Sequence, residues 1–190
     1  MLGPMTRWQP DAANRLAQAA LDLYAEHGFD ATTSAAIAAR AGVTERTFFR
    51  HHADKREVLF AGSTALQDTM VDAVANAPDA TEPLQVLRAS IKAAEPLFPP
   101  VAQARLRQSV IEAAPELVER ELAKLESLSA GLAAALQSRG TGTRAAETAA
   151  RVAVALFKVA YDRWLDEKES INFSVLVDLS FEELAALVDG

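Results

Sequence analysis

Apolar positions recur along nearly the whole chain at steps of three and four, the spacing that gathers side chains on one face of an α-helix. Few β-branched runs interrupt the pattern, so it predicts an all-α protein of about nine helices. In the first, residues 12–27, Leu16, Ala19, Ala20 and Leu23 share a face, and Gly28 followed by Phe29 is a C-terminal stop signal. Thr33 can cap a short second helix over 34–41, with Ile37, Ala38 and Ala41 on its apolar side. Gly42 permits the positive backbone angle of a tight turn and Val43 fills it. Thr44 then caps a third helix, 45–51, whose exposed first turn carries Glu45, Arg46 and Thr47. This is the pattern of a helix-turn-helix, in which the first residues of the second helix approach base edges in the major groove.

Behind it, Asp54 is placed to cap a longer fourth helix over 55–76, and a connector with two prolines spans 76–83. The fifth and sixth helices are predicted over 84–95 and 101–113, separated by Pro96, Pro99 and Pro100. Pro115 opens a seventh helix that ends near Arg139, with Val118, Leu122, Leu125, Leu132 and Leu136 on its apolar face. The eighth, 144–168, confines Glu147, Arg151, Lys158 and Asp162 to one stripe and is apolar around most of the rest. The ninth runs over 173–188, with a capping box at Ser180 and Glu183 that could interrupt it. These last two helices carry more apolar surface than one subunit covers, which suggests a two-fold dimer through a four-helix interface. Val152, Leu156, Leu176, Phe181 and Leu184 are the candidates for that contact.

Composition narrows the chemistry. The chain has 190 residues, half of them hydrophobic, enough for a buried core in one or two domains. It has no cysteine, which excludes disulfides and thiolate metal sites and fits a reducing cytoplasm. Its apolar runs fall far short of the roughly 20 residues of a membrane span, and the start MLGPMTRWQPD lacks a secretory pattern. A net charge of −7 argues at first against a nucleic-acid partner, but residues 1–60 are neutral, 61–190 carry all of the −7, and 31–56 carry +3. A small positive face on an acidic body fits a protein that grips phosphates at one end. His27, His51, His52 and Asp54 show no metal-ligand spacing, and no phosphate loop, nucleophile elbow or paired carboxylates are visible. Neither an enzyme nor a cofactor is expected.

The segments AEHGFDATT at 25–33 and IAARAGV at 37–43, followed by Thr44, Phe48, Phe49, Arg50, Asp54, Lys55 and Leu59, resemble the tetracycline-repressor (TetR) family over about residues 11–60. Beyond that point only the helical layout is similar. The resemblance implies a three-helix DNA-binding head over 11–60 after a flexible 1–10, and a ligand-binding and dimerisation body over 61–190. It implies a homodimer whose heads read a palindromic operator, most often as a repressor, and a small effector in the body that releases DNA. Carried over by position, Thr33, Ser34, Phe49, His51 and Lys55 would meet phosphates, with Arg40 adding another contact. Glu45, Arg46 and Thr47 would face bases, and Thr44 and Arg50 complete the DNA-binding set.

Arg46 has its own physical argument, because a guanidinium fork matches the two acceptors of guanine. Two positions depart from the family pattern. Phe49 stands where a phosphate-binding tyrosine is usual, and His52 stands where an aromatic packs, on the same face as Phe48. A core histidine with a backbone hydrogen bond is the expectation for His52. For the effector, Phe98, Arg105, Gln108, Glu112, Phe157, Tyr161 and Trp164 are candidate lining residues. The alternative is a DNA-binding dimer with no small-molecule input, or one controlled by a protein partner.

Overall fold

The computed structural model describes residues 12–166 and 171–189. The expected flexible segment 1–10 lies outside them. Among the described residues every regular element is helical. The chain divides into two compact units, the first holding the described residues up to Ala61 together with Leu106–Val118, the second holding Gly62–Arg105 and the residues from Glu119 onward.

In the first unit, α1 (Ala12–His27), α2 (Ser34–Arg40) and α3 (Glu45–His51) enclose a core of Leu16, Leu23, Tyr24, Ile37 and Phe48. Val110, Ile111, Ala114 and Leu117 join that core. They come from the second half of α6 (Val101–Glu112), the two-residue link after it and the first turn of α7 (Pro115–Ser138). Helical periodicity identifies their apolar face and says nothing of its partner, so no boundary is visible in the sequence at 106.

The predicted helix over 55–76 is interrupted. Asp54 does cap a turn, accepting from the amides of Arg56 at 2.7 Å and Glu57 at 3.2 Å, but that turn leads into a 3-10 segment, Glu57–Phe60. The α-helix α4 (Ser63–Ala75) begins only after Gly62. Val58, Leu59 and Phe60 are all buried in the head. A 3-10 turn sets successive side chains about 120° apart, so these three leave it in different directions, and all three are packed into the head's core.

The second unit is built from α4, α5 (Pro83–Ala93), α8 (Thr143–Asp166), α9 (Phe173–Asp189) and the remainder of α6 and α7. Pro83 stands in the first turn of α5, where its missing amide removes no helical bond. The core gathers Met70, Leu87, Ile91, Leu132, Leu136, Phe157 and Phe173, and α8 presents Ala146, Ala150, Ala153 and Ala160 where its backbone approaches its neighbours. Ser180 does not break α9: its hydroxyl donates to the Leu176 carbonyl at 2.9 Å and the helix continues. Arg88 and Lys92 of α5 hold Asp178 of α9 at 2.7 and 2.8 Å, and their opposite charges keep that carboxyl below its usual range despite partial burial. No helix among the described residues is long and apolar enough to cross a membrane.

Candidate nucleic-acid interface

The exposed face of the head is set by how α3 is anchored. Thr44 accepts from the Thr47 amide at 3.2 Å, and the two hydroxyls lie 3.0 Å apart. Phe48 is fully buried, and His52, one turn on, lies on the same side with its ring 5.6 Å from that of Phe48. With this side fixed inward, Glu45, Arg46, Phe49, Arg50 and His51 are exposed and Thr47 is half-buried. Seven residues of α-helix measure about 10 Å, a length suited to the major groove.

The approach to α3 is equally constrained. Thr33 caps α2 by accepting from the Ala36 amide at 3.1 Å, with Ser34 half-exposed beside it. At the turn Gly42 takes φ +67°, and the amides of Gly42 and Val43 bond back to Ala39 and Ala38 at 3.1 and 2.9 Å. This closes the C-terminus of α2 and lets α3 leave at a fixed angle. Arg15 of α1 donates to the Ala41 carbonyl at 2.9 Å, which ties the turn to the bracing helix. Periodicity identifies α1 as a packing helix, but not that Arg15 or Tyr24 reaches across it to the motif.

The cations of the head fall into two groups. Arg40 is held bidentate by Glu26 at 3.1 and 2.8 Å, a hydrogen-bonded pairing that keeps the glutamate below its usual pKa. Arg56 pairs with Asp54, and Lys55 turns toward backbone carbonyls. Arg46 and Arg50, in contrast, are exposed and make no hydrogen bond or ion pair among the described residues. Much of the local positive charge is therefore engaged inside the head, and these two guanidinium groups stand open to solvent.

His52 is buried as expected from its place one turn after Phe48, but its Nε2 has no hydrogen-bond partner among the described residues, in place of the expected backbone bond. Burial, and then His51 beside it, lowers its pKa below the ordinary 6.5. A histidine that resists protonation when folded binds more protons unfolded, so the stability present above pH 6.5 is lost as pH falls through its lowered folded pKa. His52→Phe should remove that acid-side loss and stabilise the head by about 1 kcal/mol, since no orphan polar atom remains. Thermal melts from pH 5 to 7.5 test this, and parallel pH profiles for the two proteins would count against it.

Of the seven residues considered for an effector, five fall in the second unit and two in the first. Phe98, Phe157, Tyr161 and Trp164 do converge, joined by Phe173, with Phe98 ring centroids 6.4, 5.5, 5.5 and 4.8 Å from those of the other four in that order. Arg105 donates through Nε to the Leu165 carbonyl in the same unit. Gln108 and Glu112 belong to the first unit, where Gln108 donates to Glu112 at 3.0 Å. Among the interface candidates, Leu176 and Phe181 sit in the subunit's own core, while Val152, Leu156 and Leu184 are half-buried. The large apolar side chains of α8 and α9 that are exposed are Val159, Val175, Leu179, Leu187 and Val188. An apolar stripe marks burial, and helix packing decided which residues the subunit itself would cover.

Residues 16–61, which build this face, match the family profile described as bacterial regulatory proteins, tetR family. The HTH-type transcriptional regulator TcmR of Streptomyces glaucescens is 34% identical over 80 residues, 42% of this chain and 35% of TcmR. The chain thus matches about a third of the length of that curated relative. Across the whole chain the fold is that of solved regulators. A TetR-family regulator of Streptomyces coelicolor aligns over 99% of this chain and 100% of its own at TM-score 0.58 and 20% identity. The fatty acid degradation regulator FadR of Bacillus halodurans aligns over 94% and 96% at TM-score 0.58 and 18% identity. The head thus carries the tetR-family profile over residues 16–61, and the chain as a whole shares the fold of these solved regulators.

Proposed function

We propose that the protein is a DNA-binding transcriptional regulator, a repressor that binds a palindromic operator as a homodimer in the cytoplasm and is released by a small-molecule effector. The observation that carries this reading is the exposed start of α3, where Arg46 and Arg50 stand without protein partners on a helix fixed by Phe48 and the Thr44 cap. Glu45, Arg46 and Thr47 face the bases. Thr33, Ser34, His51 and Arg50 meet the backbone on either side, and Phe49 packs against sugar and phosphate without a hydroxyl to donate. Arg40 reaches phosphate only by giving up Glu26.

Dimerisation is supported by the exposed apolar side chains of α8 and α9, continuous with half-buried Val152, Leu156 and Leu184. Effector binding is supported by the convergence of Phe98, Phe157, Tyr161 and Trp164 beside Arg105. Those rings already lie at packing distance from one another, which favours a second reading, a DNA-binding dimer with no small-molecule input or one switched by a protein partner.

Mobility shift on the DNA upstream of the protein's own gene, at fixed salt and against random-sequence competitor, is the direct test, with light scattering to give the mass. Retarded species that compete equally with random DNA, or a monomeric mass, would exclude the specific dimeric regulator. Thermal shift across a metabolite panel separates the two effector readings, because a ligand that binds only the folded state raises its stability.

A further inference from the structure

We propose that Lys55 is a positioning residue, an internal clamp that sets the start of α2 for DNA, and not a phosphate ligand; the inference rests on the DNA-binding reading above. An ammonium group has three N–H donors and no more. Those of Lys55 face three backbone carbonyls on one side, Phe29 at 2.8 Å, Thr32 at 3.0 Å and, at 3.5 Å, Asp30. The same nitrogen lies 4.1 Å from the centroid of the Phe29 ring, a cation–π contact. A phosphate oxygen would have to displace at least one of these carbonyls.

The carbonyls are worth a cation. They lie two to five residues past His27, the C-terminus of α1, near the negative end of its helix dipole. Gly28 takes φ +83° there, and the turn it opens is closed by the Thr32 hydroxyl, which donates to the Gly28 carbonyl at 2.8 Å. Lys55 is secured at its other end as well, because the Tyr24 hydroxyl donates to its carbonyl at 2.6 Å. Burial, with Asp54 second, holds Tyr24 above the ordinary tyrosine range, so the hydroxyl stays a donor. Residue 33, the cap of α2, comes next after the clamped turn. Lys55 thus fixes, through contacts 23 to 26 residues away in sequence, the segment that leads into Thr33 and Ser34.

The test compares wild type with Lys55→Met, which keeps the unbranched stem, and Lys55→Arg. A phosphate contact accepts the planar guanidinium fork readily, whereas a three-carbonyl tripod does not. The clamp is expected to give about tenfold weaker operator binding for both variants, with an unchanged dependence of log affinity on log salt. In the free protein both should also show faster amide hydrogen exchange over residues 29–36. Loss of a phosphate ligand would instead lower the salt slope by roughly 0.9 in Lys55→Met, with Lys55→Arg near wild type and free-protein exchange unaltered, and that result overturns the proposal. If the wild type binds no duplex at all, the regulator reading fails. The exchange measurement then decides alone whether Lys55 clamps the turn.

Discussion

Phe48→Ala is expected to destabilise the head by about 3–5 kcal/mol, the range for emptying a fully buried aromatic site, and to abolish operator binding with it. Phe48 is the one residue of α3 that is buried, and it enters a core shared with Leu16, Leu23, Ile37 and Val58. Phe49, on the exposed side, forms a T-shaped pair with it, and buried His52 lies tilted against it. Removing it therefore leaves a cavity and detaches the helix that would meet the groove. Phe49→Ala provides the contrast, since that ring is 53% exposed and its loss should cost well under 1 kcal/mol of stability. Urea denaturation followed by exchange of the α3 amides reads the difference. Equal effects of the two substitutions would refute this account of how α3 is held.

Arg46→Ala should leave the fold intact, weaken binding to the preferred operator by about 1–3 kcal/mol and relax the preference at a single base pair. The side chain is exposed in the first turn of α3 and has no partner to lose among the described residues. A fork of N–H donors there suits the O6 and N7 acceptors of guanine. Arg50→Ala should behave differently, weakening all sequences together and lowering the salt slope by roughly 0.9, as expected of a phosphate contact. Selection from random DNA with each variant separates the two, and a uniform loss from Arg46→Ala would remove base readout from that residue.

The features legible in the sequence are those that short-range forces settle. Thr33, Thr44 and Asp54 satisfy amides within three residues of themselves, so their capping roles follow from residue type and position. Gly28 and Gly42 adopt positive φ because no other residue does so without strain, and the turns they mark are where the sequence places them. The exposed first turn of α3 follows from the same local signals together with Phe48 on the opposite face.

Tertiary structure decided everything that depends on which surface an element meets. Val58, Leu59 and Phe60 read as part of a continuing helix, whereas in the folded head they form a buried 3-10 turn that ends before α4 begins. Leu176 and Phe181 carry the same apolar signal as Val175 and Leu179, yet the first pair is inside the subunit and the second pair is exposed. The family resemblance implies phosphate contacts for Arg40 and Lys55. Their partners lie 14 and 26 residues away, at Glu26 and Phe29. The sequence by itself determined the all-helical layout, most helix bounds, the caps and the exposed first turn of α3, because those interactions close within a few residues. Which of the head's cations are paired and which stay exposed was fixed only when distant segments met, because a long cationic side chain carries no local signal of where its donors will end.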